Sequence, residues 1–201
     1  MGSRTQLADV DRRRGRTAVA ALRRVTTPAH RRLERQLGVM STELTIDAYR
    51  ALLAGFAAVH GALDDEIAGR LEAAVPDAEL AELDVASRRR MPALAVDLEL
   101  LGVPLPTAVP FPLTSVAGAL GALYVTEGAT LGGRVIAPHV LAVLGPDTPV
   151  SFFASPGVDV VARWATCRRV IDRLLVTPDD TKEAATVATA VFERFSELLC
   201  R

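Results

Sequence analysis

Three histidines are the whole stock of imidazole in this 201-residue chain, so they limit its chemistry sharply. His30, in TTPAHRRLE, stands four residues before Glu34. On a helix that spacing puts the carboxylate on the same face, where it can accept a proton from one ring nitrogen. The tautomer is then fixed, and the other nitrogen is free to bind a metal such as iron. The same spacing describes an ordinary boundary histidine beside a solvated glutamate, so spacing alone leaves both readings open. His60 faces Asp64 at the same interval, one turn beyond Phe56. It reads as a histidine between helices, satisfied by its partner, because buried polar groups usually find one. His139 follows Pro138 and is expected to cap or solvate a helix end.

A second feature is GALYVTEGATLGGRVI, residues 121–136, where Gly128, Gly132 and Gly133 interrupt an apolar helical run. Each glycine inside a helix costs about 1 kcal/mol relative to alanine, so the cluster needs a reason. Gly128 and Gly132 are four apart and share a face, with Tyr124 one turn earlier on it. Such a face either lets two helices pack closely or lets the backbone approach something flat. The adjacent pair Gly132 and Gly133 also invites a kink. A kinked face without side chains, opposite a histidine-bearing helix, is a slot for a planar ligand.

Other chemistries lack their signatures. No Glu-x-x-His is present for a di-iron carboxylate site. Neither His-Glu-x-x-His, nor the P-loop, nor G-x-G-x-x-G occurs. No local signature assembles a serine or cysteine triad. Cys167 and Cys200 are too few for a disulfide framework and read as two reduced, buried or half-buried thiols.

The elements that must position these residues are helical almost throughout. Val19, Leu22, Thr26, Leu33 and Leu37 form a stripe at three- and four-residue steps. Pro28 falls inside it, so either a helix begins there with Thr27 as cap or it is kinked just ahead of His30. Between Thr45 and Leu71 the stripe is Tyr49, Leu52, Leu53, Phe56, Val59, Leu63 and Ile67. Short helices are expected at 77–86 and 92–101, followed by GVPLPTAVPFP, a proline-punctuated linker over the surface. The glycine segment is expected as helix over 114–143, then a loop over 146–157 and a helix over 158–176. A last helix over 179–200 has Thr177 and Pro178 as cap and first residue. Alternating strands are absent, which predicts an all-α bundle of about seven or eight helices.

A chain of this length with 50% hydrophobic residues can bury one substantial core, placed at 17–201. Residues 1–16 are polar and aperiodic and are expected to be a disordered arm. A net charge of −1 gives no global pull toward nucleic acid or anionic membrane. No run reaches the ~18 apolar residues of a membrane span, and the basic start has no apolar core behind it to make a secretory signal. The expected location is the cytoplasm.

Taken in order, these segments resemble the heme oxygenases, most closely the bacterial type found with bacteriophytochromes. LRRVTTPAHRRLE is similar to the family's proximal helix and YRALLAGFAAVHGALDDEI to its second helix. RRRMPALAVDLELLG resembles the bacterial pattern of a basic turn followed by Asp-Leu and Leu-Gly. GALYVTEGATLGGRVI is similar to the distal-helix signature, and LLVTPDD with VFERFSELL to the C-terminal pair of helices. The resemblance implies a helical bundle with heme between the first helix and a kinked distal helix, heme being cofactor and substrate. By position it makes His30 the axial iron ligand, Glu34 its hydrogen-bonding partner, and Gly128, Gly132 and Gly133 the distal glycines. Arg23 and Arg168 match positions that meet the heme propionates, Phe192 an aromatic lining the pocket, and Thr26 and Tyr124 lie with them, Tyr124 about one residue out of register.

The activity implied is oxidative opening of heme to biliverdin, CO and ferrous iron. It uses O2 and electrons from an external ferredoxin- or flavoprotein-type reductase, and the biliverdin could feed a photoreceptor. One departure stands out: better-known animal enzymes carry an aspartate directly after the first distal glycine, and here that position is Ala129. It supports an alternative, a heme-binding carrier or sensor without turnover. Thr130 and Arg134 are the nearby groups that could take over proton delivery.

Overall fold

The computed structural model describes residues 17–200, so the expectation of a disordered arm over 1–16 lies outside the described residues. Within them the chain forms eight α-helices and one 3-10 turn, with no strand. Helix α1 (Ala18–Gln36) starts where the Thr17 hydroxyl accepts the Ala20 N–H, and it contains Pro28 instead of beginning there. Proline removes the N–H that would have reached the Arg24 carbonyl. The neighbouring hydroxyls of Thr26 and Thr27 turn back onto the carbonyls of Leu22 and Arg23, at 2.9 and 2.5 Å.

Helix α2 (Ile46–Glu72), capped by Thr45, buries all seven residues of its apolar stripe. Helix α3 (Asp77–Leu83) is shorter than its apolar pattern predicts, because Asp84 adopts a left-handed conformation (φ 49°) and ends it. The 3-10 turn Val85–Arg88 takes up the remainder. Helix α4 (Met91–Leu100) follows. The proline-rich linker is tied to α2 rather than merely laid over the surface: Val109 N–H donates to Ala58 O at 2.8 Å, and Arg70 grips Leu113 O.

Helix α5 (Val116–Leu144) is one helix across all its glycines, capped at Ser115. Helix α6 (Ser151–Ala154) is a single turn inside the segment expected to be loop. Its cause is remote in sequence: the buried Asp97 carboxylate accepts the N–H groups of Ser151 and Phe152, at 2.9 and 2.8 Å. Unsatisfied N–H groups at a helix start are where a carboxylate stabilises most. Helix α7 (Val160–Leu174) is capped by Asp159. Helix α8 (Pro178–Leu199) has Thr177 as cap and Pro178 as first residue, as its sequence predicts, and Asp180 adds a reciprocal capping box.

Helix α8 is the spine of the bundle. It packs along α1, α2 and α5, burying Ala184, Ala188, Val191 and Phe195 against Leu22, Leu53 and Leu120. The α5–α8 contact is close enough that a Cβ on Gly121 would lie 2.1 Å from Ala184 O. Helices α1 and α5 both lean on α8 without forming an extended contact with each other. That leaves a face of each available, and those faces carry the residues singled out by type and spacing.

Candidate functional site

On α1, His30 is half exposed, and its Nδ1 lies 3.3 Å from Glu34 Oε2. The Phe192 ring of α8 meets the imidazole edge-on, with centroids 5.5 Å apart and planes at 88°. The ring is thus oriented from two sides, and its Nε2 has no partner among the described residues.

One turn earlier, Thr26 is buried, and its hydroxyl also meets Tyr124 of α5. Burial raises the Tyr124 phenol above its ordinary pKa, against the opposing influence of the nearby Thr26 hydroxyl and the charges of Arg23 and Arg168. Those two arginines come from α1 and α7, so the fold converges Arg23, Thr26, Tyr124 and Arg168 from three helices. Arg23 and Arg168 are exposed, which leaves their guanidiniums able to take a carboxylate bidentately.

Gly128, Gly132 and Gly133 of α5 divide by direction. Gly132 faces open space: a Cβ there would meet only Ile136 Cδ1 of the same helix, at 3.9 Å. Gly128, one turn before, faces the edge of the Trp164 ring, with Cη2 at 3.6 Å. Gly133 turns instead to α6, where a Cβ would fall 2.1 Å from Phe153 O. Its missing side chain permits helix packing, and the bare face opens at Gly132 and ends at Gly128 against the Trp164 ring.

Trp164 carries no motif and was not a candidate by sequence. Its ring is 5.4 Å from that of Tyr124, and the Arg168 guanidinium lies 5.6 Å from its centroid. The available signal was modest: the single tryptophan of the chain stands four residues before Arg168 on one helix.

Behind the bare face lies a charge cluster that spacing also did not reveal. Glu127, 1% exposed, receives Arg163 Nη2 at 2.9 Å and Arg163 Nε at 3.2 Å, and it accepts a further bond from Arg88 Nη1. Glu127 immediately precedes Gly128, and Arg163 immediately precedes Trp164, so this fork ties the two helices beside the site. Thr130 is buried with its hydroxyl on Glu127 O at 2.6 Å, which turns it away from the bare face. Ala129 is exposed. Arg134 lines a cavity of about 300 Å³ with Ala154 and Val158–Val161, at the α5–α6–α7 end rather than beside His30.

His60 is 3% exposed, with Nδ1 2.9 Å from Asp64, the satisfied pair its spacing predicts. Burial alone would raise the Asp64 carboxyl. The hydrogen bond and charge of His60, with the N–H groups of Met91 and Arg90, outweigh it and hold Asp64 below its ordinary value. His139 contacts Ser41 O at 3.1 Å, joining α5 to the loop before α2. Both cysteines are free, and burial pushes the Cys167 thiol up to about 12. Among the described residues no three His, Cys, Asp or Glu side chains gather into a metal cluster. No helix there is long and apolar enough to cross a membrane.

Comparison with known proteins follows the same lines. No family model matches the sequence. A heme oxygenase of Xanthomonas campestris pv. campestris (strain 8004) is 39% identical over 114 residues, 56% of this chain and 68% of that one. The heme oxygenase PigA of Pseudomonas aeruginosa PAO1 is 31% identical over 121 residues, 58% of this chain and 61% of that one. In three dimensions the chain resembles the heme oxygenase of Neisseria meningitidis, with a TM-score of 0.76, 21% identity, and coverage of 92% and 90% of the two chains. It also resembles heme oxygenase-1 of Synechocystis sp. PCC6803, solved in complex with heme, with a TM-score of 0.71, 16% identity, and coverage of 91% and 90%. These two likenesses bear on the all-helical fold.

Proposed function

The chain belongs to the heme oxygenase family, and on that premise we propose that heme would be held between α1 and α5, with His30 as the residue that binds its iron and Gly128 and Gly132 of α5 beside it. Heme is both cofactor and substrate, and the activity is its oxidative degradation. The observation that carries the assignment of residues is the half-exposed His30, with Nδ1 held by Glu34 and Nε2 free. A donor set of one neutral imidazole suits an iron already held by a macrocycle better than a bare ion.

When bound, heme supplies the iron that activates O2 and the carbon that is oxidised on the way to biliverdin, CO and ferrous iron. The chain supplies the hold on heme and its surroundings. Glu34 fixes the His30 tautomer and raises its basicity as a ligand, while Phe192 keeps the ring from turning. Arg23 and Arg168 grip the propionates, and Tyr124 with Thr26 supports them at that end. Gly132 would let backbone approach the macrocycle, with Gly128 at the edge of that approach beside Trp164, and neither presents a side chain to be oxidised in its place. Gly133 contributes by holding α5 on α6. Ala129 brings no proton-holding group and the Thr130 hydroxyl is committed to Glu127 O, so protons reach the distal side through ordered water on backbone carbonyls.

Electrons come from an external ferredoxin- or flavoprotein-type reductase, because no flavin or nucleotide motif is present. Residues 17–201 act as one domain, the setting is the bacterial cytoplasm, and a biliverdin-using photoreceptor is the proposed recipient of product. The test is addition of hemin, reading the Soret band, followed by reductant and O2. Decay of the bound spectrum to a biliverdin band supports the enzyme, and a persistent bound spectrum supports the second reading, a carrier, which Ala129 favours. His30→Ala is expected to lose the axial-histidine spectrum and turnover together. An unchanged ferric spectrum in that variant removes His30 from its role.

A further inference from the structure

We propose that Trp164 is the stop that sets how far a bound porphyrin can lie along α5, and hence a residue that selects which meso carbon is opened. The proposal rests on the heme-binding reading above and assigns a specificity role to a residue outside the expected set.

The bare face of α5 is bounded at both ends. Ile136 closes it one turn beyond Gly132, and the Trp164 ring closes it at Gly128, its far edge 3.6 Å from where a Cβ would stand. The gap between Gly128 and the indole takes a methyl group and no more, so a porphyrin lying over Gly132 is stopped where the indole begins. The ring is also held in place: Tyr124 leans on it at 5.4 Å, and Arg168 lies over it at 5.6 Å. Its backbone is fixed one residue earlier, where Arg163 forks onto buried Glu127. Only two side-chain torsions remain to be ordered, which makes an aromatic a stiff wall.

Apolar contact along a flat macrocycle is nearly indifferent to sliding, because burial scales with area and not direction. In-plane position must therefore be set by the propionate grip and by hard stops. Trp164 touches both, since the cation–π contact restrains the same Arg168 guanidinium that grips a propionate.

The experiment compares the heme-loaded wild-type chain with Trp164→Leu and Trp164→Phe, each first checked for folding by thermal unfolding. Two readouts are taken: the biliverdin isomer composition, and the heme-methyl resonance pattern of the ferric cyanide complex, which reports in-plane seating without turnover. Trp164→Leu is expected to change the isomer ratio by about tenfold, corresponding to about 1.4 kcal/mol of seating preference, and to add or shift a set of methyl resonances. If Trp164→Leu does not fold, Trp164→Phe decides, because the shorter ring lacks the Cη2 edge that reaches Gly128. It is expected to shift both readouts in the same direction by less. A folded variant with wild-type isomer composition and wild-type methyl pattern overturns the proposal and leaves the heme-binding reading standing. Failure of the wild-type chain to give a Soret band with hemin removes that reading and the proposal with it.

Discussion

Alanine at two adjacent positions, Gly132 and Gly133, is expected to move the stability of the heme-free protein in opposite directions. At Gly132 the new methyl meets only Ile136 Cδ1 at 3.9 Å, an ordinary contact. Gly132→Ala therefore gains the helix-propensity difference, about 1 kcal/mol, or roughly 2–4 °C in Tm for a chain of this size. At Gly133 the methyl would fall 2.1 Å from Phe153 O and 3.0 Å from its carbonyl carbon. Those are backbone atoms of a turn clamped by Asp97, so they cannot swing aside as a flexible side chain would. Overpacking costs about 1–3 kcal/mol, which exceeds the propensity gain and leaves Gly133→Ala less stable by up to about 2 kcal/mol. Urea denaturation followed by far-ultraviolet circular dichroism measures both, and hemin titration follows. Gly132→Ala should be the more stable protein and the poorer heme binder. Equal destabilisation by both changes refutes the open direction of Gly132. A stabilised Gly132→Ala with undiminished hemin affinity and turnover refutes its place against heme.

Glu127→Ala leaves Arg88 and Arg163, 5% and 13% exposed, around an empty acceptor. Breaking a buried pair in this way costs about 3–5 kcal/mol, against about 0–1 kcal/mol for Asp47→Ala in the exposed Arg50–Asp47 pair; a loss below about 1 kcal/mol for Glu127→Ala contradicts the burial argument. Asp64 has a folded pKa held below the ordinary 3.8, so its contribution is full above that value and fades as pH falls through the lowered folded pKa. The stability gap between wild type and Asp64→Asn, followed by denaturation from about pH 6 to about pH 2, is expected to close toward the acid end. A gap that is constant with pH shows that Asp64 acts without its charge.

What could be read from sequence was what lies within one or two turns of a single helix. His30 with Glu34, His60 with Asp64, and the Thr177–Pro178 helix start are local, and helical spacing and capping chemistry determine them. The buried stripe of α2 was equally plain, because every residue from Tyr49 to Ile67 on it is apolar. The one-turn helix at Ser151 was not, since the carboxylate that stabilises it is 54 residues away. The parting of Gly132 from Gly133 was hidden for the same reason: both are glycine, and only the neighbour each faces separates open surface from close packing. Trp164 and Glu127 carry no pattern of their own. Their meaning comes from α5 and α7 lying side by side, which no single helix encodes.

The Glu127 fork has a consequence for the rotational phase of α5. From Val116 to Gly133 that helix is almost wholly apolar or small, and Glu127 is its one charge. Rolling such a cylinder by one residue about its own axis would carry the bare strip out of register with His30, and the glycine contacts at Gly121 and Gly133 with the backbone of Ala184 and Phe153 already resist it. Glu127 forbids the roll, because away from Arg88 and Arg163 its charge has no counterion. A buried carboxylate and two glycine contacts with neighbouring backbone thus set together the azimuth at which the helix presents its open face.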